Sequence, residues 1–243
     1  MIVYVGDIHG AWKTFKSLID RYKLGNIEEI TYIIQVGDFG IGFNNKSNMQ
    51  TLEDLNNFFK ERNIICIAIR GNHDDPYFFQ GNHIYSNLQL VPDYTTIEID
   101  GKKHLFVGGA VSIDRKYRVS QDQKEASYGS SQRSWWHDEI FILDEEKLKD
   151  IYGVEVVVTH TAPEWCHPDN RKGFGNLVDE FVYNDKDLYA DLDKERQDMS
   201  KMFQILKNNG NYIKEHYYGH YHASSISMNG YCIHYLLNIN EFR

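Results

Sequence analysis

Three cysteines are all that this 243-residue chain contains, and Cys66, Cys166 and Cys232 form no spaced pair. An odd number without a framework excludes a disulfide scaffold and suits a reducing, cytoplasmic compartment. Cys66 and Cys232 fall inside strand-like runs and read as small buried apolar residues. No apolar run approaches the roughly 18 residues of a membrane span, so no membrane segment is expected. No leader is expected either, because Met1 runs directly into the first strand and its removal would take Asp7 and His9 with it. Positive charge is also short: the formal net charge is −9. A general nucleic-acid binder needs a basic surface, so that class is disfavoured, although a local basic pocket stays compatible. Internal repeats and low-complexity tracts are absent, and nothing marks a boundary, so one domain over residues 1–243 is expected. What is present is 42% hydrophobic and 25% charged, as in ordinary globular proteins. Seventeen tyrosines are many for this length, and some are expected to line a cleft.

Residues 2–5, 31–36 and 64–69 read as buried strands. Helical spacing separates them, with Trp12, Phe15, Leu18 and Ile19 on one face and Leu52, Leu55, Phe58 and Phe59 on another. This alternation predicts βαβ units and a largely parallel sheet. Residues 89–90, 95–99 and 104–107 read as shorter strands, and Asp100-Gly101 as a turn. Residues 44–48 read as a polar loop. Residues 120–134 are polar without apolar periodicity, which predicts a mobile loop or lid. A helix is expected over 143–151, a buried strand over 155–158, an irregular stretch over 165–185, and a helix over 188–206 stopped by Asn208-Asn209-Gly210. Strands at 213–218, 224–228 and 232–237 complete the chain, the last two joined at Asn229-Gly230.

Five segments place metal-ligand residue types just beyond these strands: Gly6-Asp7-Ile8-His9-Gly10, Gly37-Asp38-Phe39-Gly40, Gly71-Asn72-His73-Asp74, Thr159-His160 and Gly219-His220-Tyr221-His222. Ligands in α/β sheets bind beyond the carboxyl ends of strands, and glycine lets a backbone come close to an ion. Asp7 and His9 are two apart, as are His220 and His222, and in extended chain such residues point the same way. Asn72 and His73 are adjacent and should point apart, one to metal and one to substrate. Asp38 stands alone, and a carboxylate can bridge two ions. Imidazole with carboxylate suits Zn, Fe or Mn, and the missing thiolates disfavour a structural zinc site here.

The order D-x-H, G-D, G-N-H-D, H, G-H-x-H resembles the calcineurin-like metallophosphoesterase superfamily over residues 6–222. That resemblance implies an α/β fold: a two-sheet β-sandwich flanked by helices in four α/β/β/α layers. It implies a first metal on Asp7, His9 and His222, a bridging Asp38, and a second metal on Asn72, His160 and His220. His73 would be catalytic and face the scissile ester. Two divalent ions with Asp7 and Asp38 would leave the site at about +2, matched to a phosphate dianion. A bridging water, deprotonated near neutral pH, would attack phosphorus in line, and protonated His73 could serve the leaving oxygen.

Two motifs resemble the phosphoprotein phosphatase branch, but that branch continues as G-D-x-x-D-R-G. Here Ile41 stands where an Asp would orient the catalytic His, and Gly42 where an Arg would bind phosphate. Asp74 or Asp75 is a candidate replacement for the former. For the latter, Gly108-Gly109-Ala110-Val111-Ser112-Ile113-Asp114-Arg115, with Arg118 behind it, resembles segments of small bacterial and phage-type members. Trp135-Trp136-His137-Asp138-Glu139 fits the same resemblance. Arg115, and less strongly Arg118, are therefore the expected substrate-binding residues. His83, His104, His137, His167, His216 and His234 read as surface or hydrogen-bonded core residues, with His216 the best placed of them. Trp135 and Trp136 read as anchors of the lid, Arg70 as half of a structural ion pair, Arg171 and Lys172 as solvated, and the acidic run 138–150 as a solvated helix start.

The expected function is a phosphomonoesterase acting on a phosphorylated small molecule or side chain. The alternatives are a phosphodiesterase or nuclease of the same superfamily, and a non-catalytic scaffold on the same fold. Substrate, native metals and oligomeric state are left open.

Overall fold

A computed structural model describes residues 1–25, 29–43, 49–168 and 175–243, the side chains of 175–177 excepted. The loop expected at 44–48, together with Arg171 and Lys172, lies outside the described residues. Four parallel strands form the first sheet in the order β1 (Ile2–Val5), β2 (Tyr32–Gln35), β3 (Ile65–Ala68), β4 (Leu88–Leu90). Helices α1 (Trp12–Gly25) and α2 (Met49–Glu61) connect the first three. They cover the outer face of this sheet with Phe15, Ile19, Leu52, Leu55 and Phe59, the apolar positions their spacing selects.

The second sheet is mixed. Its order is β5 (Thr95–Ile99), β6 (Lys102–Val107), β7 (Val154–Thr159), β8 (Glu215–Tyr218), β10 (Cys232–Leu236), β9 (Ser225–Asn229). β6, β7, β8 and β10 run parallel, and tight turns add β5 and β9 antiparallel at the edges. Tyr4, Ile34, Ile67, Phe106, Val156, Val158 and Tyr217 pack between the two sheets. α6 (Leu188–Asn208) closes the far side through Met199, Met202, Phe203 and Leu206, with the short α4 (Glu145–Leu148) beside it. The layers are thus α/β/β/α. Residues 238–243 turn back along β1, where Tyr4 and Arg243 exchange two backbone hydrogen bonds of 2.8 and 2.9 Å.

Three expectations need correction. The helix expected over 143–151 is confined to Glu145–Leu148. The stretch 165–185, expected to be irregular, contains α5 (Gly175–Val182). The expected lid at 120–134 is for half its length the end of α3 (Arg115–Ser127). α3 shows no apolar stripe because charge holds it down: its one buried residue is Arg118. Arg118 bonds Asp114 Oδ1 at 2.7 Å and the carbonyls of Asn72 and Ser134 at 3.0 and 2.9 Å. Asp122 then accepts the backbone N–H groups of Ser134 and Trp135. The following segment is tied to the helix, and Trp136 is buried with its ring tilted against Phe43.

At the head of α3, Arg115 pairs with Asp185 and reaches Asp191 Oδ2 at 2.6 Å. Its guanidinium is thereby committed to carboxylates on the α5–α6 side. The Arg115 bond holds the Asp185 carboxyl below its ordinary value, against the opposing effect of burial. A depressed folded pKa makes the contribution of the pair complete above about 4, and it is lost as pH falls through the folded value. Arg115→Met is therefore expected to cost about 2 kcal/mol at pH 7, a gap that closes on acidification. Urea unfolding midpoints of both proteins at pH 7 and below 4 check this; an unchanged gap at low pH would remove Asp185 as its source.

Candidate dinuclear metal site

The carboxyl ends of β1, β2 and β3 in one sheet and β7 and β8 in the other meet at one rim of the sandwich. Each of the five motif segments follows one of these strands. The backbone there is unusual. Eight non-glycine residues have positive φ among the described residues, and four of them are His9, Asp38, His220 and His222, at 50°, 55°, 70° and 49°. Such conformations cost free energy and persist where surrounding contacts hold them, commonly at functional sites. Two glycines permit close approach to the buried carboxylates. A Cβ on Gly71 would stand 2.1 Å from Asp38 Oδ1, and one on Gly219 would stand 2.1 Å from Asp7 Oδ1.

One group of side chains gathers Asp7, His9, Asp38 and His222, whose ligand atoms all lie within 4.8 Å of one another. His9 Nε2 and His222 Nε2 are 2.9 Å apart, and Asp7 Oδ2 is 3.3 Å from the latter. Two nitrogens each about 2.1 Å from one ion stand about 3 Å apart at a right angle, so these fit a shared cation. Burial pushes the His9 pKa down, only partly offset by Asp38, so the ring keeps a lone pair to give.

A second group gathers Asn72, His160 and His220 about the same Asp38. Asn72 Oδ1 is 3.1 Å from His160 Nε2 and 2.9 Å from His220 Nδ1, and Asp38 Oδ1 is 3.2 Å from His160 Nε2. His160 Nδ1 donates to the Val36 carbonyl at 2.8 Å. A neutral ring would then aim a bare lone pair at two oxygens. Burial works against charge on His160, but Asp38 outweighs it and lifts the ring to about 9. A positive charge is demanded between these oxygens, as a proton or as a cation. His220, pushed well below its ordinary value by burial and by His160, is neutral and ligand-competent.

The spacing argument for paired residues needs correction at the last motif. His220 and His222 do not point the same way. Both sit at positive φ rather than in extended chain, and they turn to different groups: His220 to Asn72, and His222 to His9 and Asp7.

Asn72 and His73 part as their adjacency requires. His73 Nδ1 is 2.9 Å from Asp38 Oδ2, and its backbone N–H donates to Asp38 Oδ1 at 2.7 Å. Burial opposes an imidazolium, but the Asp38 charge and hydrogen bond prevail and raise the His73 pKa. The ring also lines the cleft over the site. Neither Asp74 nor Asp75 orients this ring. Asp74 accepts backbone N–H groups from Phe39, Gly40, Ile41 and Gly71 at 2.6–3.0 Å. Asp75 caps the 3-10 turn Pro76–Phe79 through Tyr77 N.

Asn72 is itself aimed. Its Nδ2 donates to Ser112 Oγ at 2.9 Å, and Ser112 donates to Glu139. This chain fixes which amide atom faces the site. Arg70 clamps the same segment by donating to the carbonyls of Asp138, Glu139 and Ile140 while pairing with Asp93 at 2.6 Å. Burial pushes Glu139 up to about 7, against the pull of Arg118 and Ser112. Glu139 is fully buried, so it is no part of a solvated acidic run. Its signal in sequence was the acid that follows the tryptophan pair. Ser112 and the glycine pair serve the framework: Gly108 N–H binds Asp93 and Gly109 N–H binds the Arg70 carbonyl.

A cleft of about 270 Å³ opens over Asp38, Asn72, His73, His220 and His222. Ile113, Val178, Phe181, Leu192 and Tyr221 form an apolar wall, and Arg118 and Arg196 supply cations. Arg118, the second choice from sequence, lines this cleft with its Nη2 buried and unpaired among the described residues. Arg115, the first choice, does not line it.

The calcineurin-like phosphoesterase model matches residues 1–224. The chain belongs to that family. It is a family of metal-dependent phosphoester hydrolases that typically hold two ions, and the two sheets with their helices are its fold. Among solved structures, the chain matches "GAP50 the anchor in the inner membrane complex of Plasmodium" at 13% identity and a TM-score of 0.39, over 98% of this chain and 70% of that one. No curated protein matches it. No helix among the described residues is long and apolar enough to cross a membrane.

Asp74→Asn would replace an acceptor oxygen by an N–H₂ facing two N–H donors. A loss of about 2–4 kcal/mol is expected, with weaker metal retention because Phe39 adjoins Asp38. Denaturant titration and metal counting check it; an unperturbed variant would show that those four bonds do not hold the site.

Proposed function

We propose that the chain is a phosphomonoesterase that uses two metal ions drawn from Mn, Fe and Zn. The first ion is assigned to Asp7, His9 and His222, the second to Asn72, His160 and His220, and Asp38 lies between them. The observation that carries this reading is the gathering of Asp7, His9 and His222, and of Asn72, His160 and His220, about the one carboxylate of Asp38. Bound ions of this kind polarise phosphoryl oxygens and lower the pKa of water to about 7.

The chain's own residues would do the rest. His73, held by Asp38 through Nδ1 and with its pKa raised by that contact, would present Nε2–H to the leaving oxygen. Arg118 Nη2 offers a cation to a phosphate oxygen, in place of the arginine absent at Gly42. The apolar wall suits a leaving group with apolar or aromatic surface. With two arginines lining the cleft, there is little of the basic track that a nucleic-acid strand needs. The substrate is therefore read as a phosphorylated small molecule or side chain, the protein as one domain, and its place as the cytoplasm, where its three free cysteines would stay reduced.

Manganese-loaded protein is expected to hydrolyse p-nitrophenyl phosphate in preference to bis-p-nitrophenyl phosphate, and a chelator should abolish turnover. Preference for the diester would overturn the monoester reading, and inertness toward both with two ions bound would favour a scaffold. His73→Ala should keep its metal and lose about 10²-fold or more in kcat; full activity would remove His73 from the chemistry. Arg118→Lys should raise KM about tenfold, read from initial rates, and an unchanged KM would exclude phosphate contact.

A further inference from the structure

A second cluster of ligand-type side chains lies on the far side of the second sheet, outside the site described above. His216 on β8 and His234 on β10 are register partners, and both rings face Phe203 of α6. Cys166, in the segment after β7, joins them. The ligand atoms of all three lie within 4.8 Å of one another, and all three residues are buried. His216 Nδ1 is 2.9 Å from His234 Nδ1 and 4.0 Å from Cys166 Sγ.

The proton positions follow from the neighbours. The Thr159 hydroxyl donates to the Thr161 carbonyl at 2.6 Å, so its oxygen accepts from His216 Nε2–H at 2.7 Å. His216 Nδ1 therefore carries a lone pair directed at His234 and Cys166. A metal-bound histidine is characteristically held by such a bond from its other nitrogen. The Cys166 thiol has contacts of 4.0 Å with the Pro163 carbonyl and His216, too long to commit it. Tyr218 Oη donates to the Cys166 carbonyl at 2.5 Å and fixes the backbone that carries it.

The geometry points to a third metal site, for a thiophilic divalent cation of the zinc kind, formed by Cys166, His216 and His234 and closed by Cys232. In a tetrahedral zinc site, nitrogens stand about 3.3 Å apart and nitrogen and sulfur about 3.6 Å apart. The observed 2.9 and 4.0 Å require shifts of a few tenths of an ångström. Cys232 precedes His234 by two positions on β10, hence on the same strand face. Two thiolates would neutralise a divalent ion, which burial of the site requires. An entrance exists: a cavity of about 480 Å³ is lined by Trp165, Phe203, Cys232 and His234. The competing reading is a neutral histidine pair with an idle thiol. The site would brace β7 at Thr159, the residue before His160, and so has a structural task.

Cobalt separates the two readings. The two-ion centre offers no sulfur, so a near-ultraviolet thiolate-to-cobalt charge-transfer band reports on this cluster whether or not the phosphatase reading holds. Cobalt-loaded wild-type protein is expected to show the band and to bind one ion more per chain than Cys166→Ser or His234→Gln. Both variants should lose the band and keep phosphate-ester hydrolysis. Absence of the band from wild-type protein, which needs no variant to fold, would overturn the site; so would a band or ion count unchanged in Cys166→Ser.

Discussion

Asp38 is the constraint on which the rest of the structure turns. Its carboxylate is buried at the junction of two sheets and faces His73, His160 and, at 3.7 Å, His9. An isolated carboxylate would not be ionised there, because burial alone drives the proton on. The His160 and His73 charges reverse that and hold Asp38 far below its ordinary range. The cost is met by gathering positive charge, and each element of the rim contributes to it. β2 ends so that Asp38 takes a left-handed conformation. Gly71 leaves room beside it. Asp74 holds the backbone on either side. The α/β/β/α layering brings β7 and β8 of the second sheet to the ends of β1–β3 of the first.

The polar framework outward from Asp38 is continuous. Arg70 sets the segment 138–140, Glu139 sets Ser112, and Ser112 sets Asn72. Arg118 connects α3 to Asn72 by its carbonyl and lines the cleft. The buried carboxylates of Asp74 and Glu139 thus act as carpentry rather than chemistry. Loops that look dispensable in sequence carry the residues that aim the ligands.

Much of this was legible in the sequence. Apolar periodicity marks α1, α2 and α6 because each lays a stripe on a core. Asp100-Gly101 marks one edge hairpin because both residues take positive φ; at the other the turn falls one residue later than expected, on Gly230-Tyr231, because Asn229 pairs with Cys232 and only Gly230 takes positive φ. The seven ligand residue types stood out because glycine and strand punctuation surround them. α3 escaped notice because its anchor is one buried arginine, held by Asp114 and by the carbonyls of Asn72 and Ser134, 46 and 16 residues away, and no apolar periodicity encodes that. Arg115 was favoured over Arg118 for the same reason: Asp185 and Asp191, which claim it, lie about 70 residues away. The divergent directions of His220 and His222 depend on left-handed backbone, which a spacing rule for extended chain does not include. Glu139 looked solvated because its neighbours in sequence are acidic, while its neighbours in space are Ser112, Trp136 and Arg118.

The return of residues 238–243 along β1 has a bearing on biosynthesis. Asn240 N–H binds the Asp7 carbonyl, and Gly6 N–H binds that of Glu241, so the first of the five motifs is fastened by residues synthesised after all of them. His220 and His222 also emerge late. A nascent chain would carry Asp7, His9 and Asp38 without these partners until residues 220–241 have emerged. The two groups of side chains around Asp38 are therefore completed across nearly the full span of the family match, by pairing between its two ends.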